Sequence, residues 1–384
     1  MLLGLISAAL LVVVFVAALI GEPSSAVNLA PTFVYVVFWL GVVVLQVLLG
    51  DVWSVLNPWL AIGSGVAWVW RRLGFTWDAP LAYPERLGVW PGAFLLFCFA
   101  ALELCYAEPA NPRALALAIA LYSYAMWFGM AAVGRHTWTR GGDAFAVYFG
   151  LLAKLAPFGE RDGRLVVRWP LTGLSGRLER PGMLAFVAVM LGSVAFDGIS
   201  RSTIWQNLRA RLEEPYILDA PNTAELVTTL LSLAGLTAAV LTVALAYRLA
   251  VWAAERLIDS DRSLVADFLP SLVPIAFVYA VAHYFTLLLI QGQFAIPLAS
   301  DPFGRGWNLF GTIHYTPNLM PVSPNNVWYV QVGAIVAGHV AGLTVAHDRA
   351  VTIFPQREAL RSQYAMLALM LLYTFTGLTL LWQG

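Results

Sequence analysis

Charge is what this sequence has least of. Charged residues make up 11% of the 384 and hydrophobic ones 60%, against roughly 25% and 45–50% in soluble domains. A single globule of this length cannot hide that much apolar surface, which excludes a soluble enzyme or binding module. The formal net charge is zero, so there is no basic footprint and nucleic acid is excluded as a partner. Cysteine is nearly absent. Cys98 and Cys105 are the only two, and both fall in one expected helix, about 10 Å apart at ~1.5 Å rise per residue. They cannot bridge each other within that helix, so a disulfide framework is excluded as well. The first apolar run has no basic stretch ahead of it. "MLLGLISAALLVVVFVAALI" therefore reads as a first membrane span and not as a cleavable leader.

Long apolar runs are what the sequence has in quantity. They are continuous and about 20 residues long, the length a helix needs to cross a bilayer, and they lack the alternation of barrel strands. Only structures that satisfy every backbone polar group internally survive in lipid. The expected fold is therefore all-α: a polytopic membrane protein of about nine transmembrane helices plus two interfacial helices, forming one integral membrane domain over 1–384. Spans are expected near 2–20, 32–49, 89–107, 112–133, 182–199, 224–250, 268–291, 327–348 and 362–382. Trp59–Arg72 and Ala144–Pro157 have the aromatic, basic-ended character of interfacial helices. Residues 134–181 form the main polar segment, in which "RDGRLVVRWPLTGLSGRLER" (Arg161–Arg180) predicts a small hairpin outside the bilayer. Residues 292–326 form the longest loop, rich in Gly, Pro and aromatics, and such loops are often lids or site walls. In "GDVWSVLNPWLAI" (Gly50–Ile62), Trp53 and Trp59 read as interfacial anchors. Pro58 turns the chain at Asn57, because the residue before a proline avoids the helical region.

Basic residues predict the orientation, since they gather on the cytoplasmic side. With the N-terminus inside and nine spans, that side receives Arg71, Arg72, Arg86, the eight basic residues from Arg135 to Arg180, Arg248, Arg256, Arg262, Arg349, Arg357 and Arg361. The other side receives only Arg113, Arg201, Arg209, Arg211 and Arg305. The polar segment is thus expected in the cytoplasm, with the long loop and the C-terminus outside.

Polar groups inside the spans are the candidates for chemistry, because an ionisable side chain in lipid is costly and usually functional. His283 is expected about 12 Å from the outer end of the seventh span and His339 about 18 Å from that of the eighth. Gly333, Gly338 and Gly342 beside His339 suit a close helix contact, which would let the two imidazoles approach each other. Each could equally hydrogen-bond a neighbouring carbonyl. Asp197 in "VAFDGIS" and Glu103 in "ALELCYAE" lie toward the same leaflet. The plainer readings are that Asp197 caps a helix end and that Glu103 snorkels to the interface. Gln291, Gln293, Asp301, Asn308 and His314 extend the polar set. His347 is eight residues beyond His339, so the two cannot share an ion on one regular helix, where ligands sit three or four residues apart. His347 is expected at the cytoplasmic helix end, where a cation suits the dipole. Neutral imidazole and carboxylate are the donors a divalent metal takes. His283, His339 and Asp197 are therefore candidate metal ligands, and Glu103 and Asp197 candidate catalytic carboxylates. No strong ligand spacing such as H-E-x-x-H is present.

Four longer fragments carry a resemblance: "GDVWSVLNPW", "AFDGISRSTIW", "SDPFGRGWNLFGT" and "VSPNNVWYVQVGAIVAGHVAGLTVAHDRA". They resemble the actinobacterial integral-membrane proteins named fenitrothion hydrolase, over most of the chain and most densely from Ser300 to Ala350. The resemblance implies hydrolysis of a small apolar aryl phosphotriester in the cell membrane, with a second membrane subunit as partner. It brings no established catalytic motif. A divalent ion could there lower the pKa of a water to about 7. The competing class is transport or metal or haem handling without hydrolysis. Mid-membrane histidines and carboxylates also build proton and cation paths, and His283 and His339 could serve as axial haem ligands.

Overall fold

Helices make up almost all the regular structure of the computed structural model, which describes residues 2–76, 78–217 and 220–383, with backbone alone at 161 and 380–383. Among the described residues, eight helical stretches are long and apolar enough to cross a membrane. They contain α1 (Leu2–Ile20), α2 (Leu29–Leu49), α4 (Trp90–Leu104), α5 (Pro112–Val133), α7 (Met183–Ser200), α9 (Pro221–Leu257), α10 (Leu272–Ser300) and α11 (Pro324–Ile353). The ninth expected span lies within α12 (Gln356–Gln383), whose final side chains fall outside the described set. The remaining longer helices are α3 (Pro58–Arg72), α6 (Ala144–Leu155) and α8 (Thr203–Glu213). The chain is thus an all-α, multi-pass membrane protein, and lipid is its environment. The 37 residues of α9 span about 55 Å, well beyond a ~30 Å hydrocarbon core, so this helix runs on past the bilayer.

The helices sort into two compact units. The first comprises Met1–Leu95, Glu108–Arg168 and Tyr284–Pro324. At its entry, buried Asn28 joins α1 to α2. Its amide donates to the carbonyls of Ala17 and Glu22, both at 2.8 Å, and its Oδ1 caps α2 by accepting from the Ala30 N–H. The segment expected to float at the interface, Ala144–Pro157, is instead interior. Phe145, Tyr148, Phe149, Leu151 and Leu152 of α6 are all buried, because this helix is apolar all round and has no polar face to offer water. Trp53 and Trp59 are likewise buried and not interfacial anchors. They stack into one aromatic cluster with Phe38, Tyr122, Phe145 and Phe149. Asn57 does turn the chain, with ψ 108°, and its side chain caps α3 at the Leu60 N–H. The hairpin forms slightly earlier than expected, as β1 (Phe158–Arg161) and β2 (Arg164–Val167). Asp162 and Gly163 supply its two positive-φ turn positions.

The long loop of this unit is shorter than 292–326, since α10 continues to Ser300. Its polar residues fold the loop upon itself. Asp301 accepts the N–H groups of Arg305 and Gly306, and Gln293 accepts from the Asn318 N–H at 2.9 Å and the Tyr315 hydroxyl at 3.2 Å.

The second unit comprises Leu96–Ala107, Trp169–His283 and Asn325–Gly384. Its central element is α7, of whose apolar window 67% is buried, against 39% or less in every other span. Helix α7 packs on α9 where Gly192 meets the Val240 backbone. Helix α11 approaches α10 through Gly338, against Val278, and Gly342, against Ser271 and Ile275, whereas Gly333 faces open space. A Cβ on Gly342 would lie 2.6 Å from the Ser271 carbonyl oxygen. Gly342→Val is therefore expected to cost about 1–3 kcal/mol through overpacking. Gly333→Ala, with nothing to strike, should be neutral or slightly stabilising. Thermal unfolding in detergent compares the two, and equal midpoints would refute the close helix contact.

Candidate functional site

In the second unit Asp197, His283 and Arg201 are in direct contact, with Glu103 and Tyr279 within electrostatic reach of Asp197. Asp197 sits three residues before the end of α7 and is only 6% exposed. It does not cap that end. Its Oδ2 accepts from Nε2 of His283, on α10, at 2.7 Å. Arg201, the residue that follows α7, reaches back so that Nη2 lies 3.2 Å from Oδ1 and 3.3 Å from Oδ2 of Asp197. This is the four-residue spacing at which opposite charges face each other on a helix. Glu103, one residue before the end of α4, lies within electrostatic reach of both Asp197 and Arg201. Tyr279, one turn before His283 on α10, also feels the charge of Asp197.

The surroundings are apolar. Phe196, next to Asp197, belongs to a buried cluster with Ala100, Cys105 and Leu236, and Leu104 and Trp205 pack against it. The Phe196 and Trp205 rings meet edge-on at 5.2 Å. A buried charge in such a setting persists only when paired and hydrogen-bonded. The Asp197 carboxylate meets that demand with an imidazole and a guanidinium. The His283 side chain is 10% exposed and that of Arg201 59%, so the pair is inside while the guanidinium reaches out.

The sequence candidates thus separate. Asp197 and His283 meet, Glu103 lies within electrostatic reach of Asp197, and His339 does not join them. The His339 Nδ1–H donates to Ile335 O on its own helix at 2.8 Å, and its buried Nε2 has no hydrogen-bond partner among the described residues. The local carbonyl takes the ring because an i−4 acceptor is always within reach on a helix. No group of three His, Cys, Asp or Glu side chains that could hold a metal ion occurs among the described residues. The expected ligand trio is therefore not assembled, and the donor set does not fit a divalent ion. Paired haem ligation through Nε2 of His283 is also disfavoured, since Asp197 occupies that nitrogen. His347 is not at a helix end. It lies six residues inside α11 and its Nδ1–H donates to Gln363 Oε1 of α12 at 3.1 Å. Beside it, Val340, Thr344, His347, Gln363 and Tyr364 line a cleft of about 400 Å³.

Sequence reasoning passed over two features. Arg201 falls just past the expected span 182–199, and its place four residues after Asp197 is a readable signal. The other is Asp143 in the first unit, which is completely buried. It accepts from Asn57 Nδ2 at 2.7 Å, the Tyr122 hydroxyl at 2.8 Å and the Ala146 N–H at 3.0 Å. An aspartate immediately before an apolar run is a helix-cap signal, but its partners are distant in sequence. Burial pushes its carboxyl above the ordinary 3.8, against the lowering effect of those hydrogen bonds.

Comparison with known protein families, with curated proteins and with solved structures gives no match to this chain, so what its own sequence and fold establish is a multi-pass α-helical membrane protein with an Asp–His pair buried in one of its units.

Proposed function

We propose that the chain is a membrane-embedded hydrolase that cleaves an apolar ester. The resemblance to fenitrothion hydrolase points to an aryl phosphotriester as the substrate class. The observation that carries this reading is the 2.7 Å contact between Asp197 and His283. A carboxylate that accepts the Nε2–H of an imidazole fixes its tautomer and raises its basicity. In the proposed reaction, the His283 imidazole takes a proton from water while the water oxygen bonds to phosphorus. The bond from phosphorus to the aryl oxygen breaks, and the aryloxide leaves with its electron pair and collects the proton from the imidazolium. The products are a phosphodiester and a phenol. Arg201, held by Asp197, stabilises the negative charge that grows on the phosphoryl oxygen. Glu103 is the second proton carrier beside the pair. An aryl ester partitions into lipid and suits the apolar surroundings of the pair. No step is routed through a metal, because the donors for one do not converge.

A second reading is proton-coupled transport in the cell membrane. It is favoured by one carboxylate being shared between His283 and Arg201, an arrangement that also serves intramembrane proton relays. In both readings the N-terminus is cytoplasmic and the C-terminus lies outside, as the distribution of arginines favours. Proteoliposomes with a chromogenic phosphotriester separate the two. Release of the phenol without proton uptake supports hydrolysis. Proton uptake without phenol supports transport and removes the first reading.

A further inference from the structure

A second charged cluster of this unit lies at the other end of its helices. Asp267, on the short helix Val265–Phe268 that precedes α10, is 1% exposed, and three guanidinium groups share its carboxylate. Arg349 of α11 donates to Oδ1 through Nε at 3.0 Å and Nη2 at 2.5 Å. Arg177 Nε is 3.1 Å from the same oxygen, and Arg262 Nη2 is 2.7 Å from Oδ2. The Leu178 N–H donates to Ala266 O at 3.0 Å, which fixes Arg177 beside the carboxylate. Among the described residues, Glu179 also pairs here, 2.5 Å from Arg177 Nη1 and 59% exposed at its side chain.

Three positive charges thus meet two negative ones. One carboxylate offers about four lone-pair sites, whereas three guanidinium groups bring about fifteen N–H donors. The surplus is accessible, because Arg262 and Arg177 are 50% and 38% exposed. An anion with several oxygens matches a surplus of planar forked donors better than any single-point acceptor. Position narrows the source. Arg177 precedes α7, Arg262 lies between α9 and α10, and Arg349 is four residues from the end of α11. All three sit near or just beyond the ends of apolar helices and not in their middles.

We propose that Arg177, Arg262 and Arg349, gathered by Asp267, bind the phosphate of an anionic lipid headgroup. Asp267 holds the three like charges together before any lipid arrives, so the site is pre-organised. The positive-rich side of the chain is also the side that faces an anionic leaflet.

The test uses the full chain, delipidated in neutral detergent and titrated separately with phosphatidylglycerol, phosphatidylcholine and inorganic phosphate. Thermal midpoint and retained lipid by native mass spectrometry are the two readouts. Phosphatidylglycerol is expected to raise the midpoint and to remain bound, while the other two do neither. Arg262→Gln should weaken its binding about five- to tenfold, the order expected for one arginine at a membrane surface. Arg71→Gln, an exposed arginine of α3, should leave binding unchanged. Equal effects of the two lipids, a shift reproduced by inorganic phosphate, or unaltered binding by Arg262→Gln would each overturn the proposal. The comparison of the two lipids on the unaltered chain does not depend on any variant folding.

Discussion

If the proposed hydrolysis holds, His283→Ala is expected to lower turnover of a chromogenic aryl phosphotriester by about 10²–10⁴-fold, the usual contribution of a positioned general base, while the protein still accumulates in the membrane. The ring donates to Asp197, and its removal leaves that carboxylate with Arg201 as a partner. The helix pair therefore loses one contact without gaining an unpaired buried charge. Asp197→Asn is the sharper probe. It keeps the shape but presents a neutral amide to Nε2, so the tautomer is no longer imposed, and a loss of at least about 10²-fold is expected. A purely structural pair behaves differently, since both variants would then lower the thermal midpoint and leave turnover per folded molecule unchanged. His339→Ala supplies the contrast. Its Nδ1 bonds only its own helix, so turnover should be unaffected, and a loss equal to that of His283→Ala would restore a shared role for the two histidines.

Asp143→Ala carries the largest expected effect on stability, about 2–4 kcal/mol. Asn57, Tyr122 and the Ala146 N–H all donate to this one buried carboxylate, and each orphaned donor costs about 1–3 kcal/mol before local relaxation. The aromatic cluster around it, with Trp59 and Phe145 stacked 6.3 Å apart and Trp59 Nε1 bonded to Ser123 at 2.9 Å, limits that relaxation. The pH dependence follows from the direction of the shift. The folded chain binds the Asp143 proton more tightly than the unfolded chain does, because burial raises its pKa above 3.8. The contribution of this group to stability therefore falls as pH rises from 3.8 through the raised value, and is constant above it. Thermal midpoints measured across that window should show the decline in the unaltered protein and lose it in Asp143→Asn. An identical slope in both would mean that another carboxylate is responsible.

The architecture was legible because bilayer physics acts on short stretches of sequence. Apolar runs of the right length are sufficient to mark spans, and the eight found coincide with eight of the nine expected. Two signals were read at the wrong depth. Trp53, Trp59 and the Ala144–Pro157 helix carry the composition of interface elements, yet they are buried. Composition reports how much a segment avoids water and not whether lipid or protein covers it. The candidate site was half legible. Asp197, His283 and Glu103 stood out as ionisable groups in apolar runs. The choice between His339 and Arg201 as their companion did not, because it depends on which face of each helix turns inward.

By itself, the sequence determined that this chain lives in a bilayer as a bundle of helices, since backbone hydrogen bonding in lipid leaves no other solution for long runs of this composition. Only the tertiary structure decided that Asp197 meets His283 while His339 turns to its own helix. Which imidazole finds the carboxylate is set by the rotation and close approach of packed helices, and residues 86 positions apart in the chain carry no local record of it.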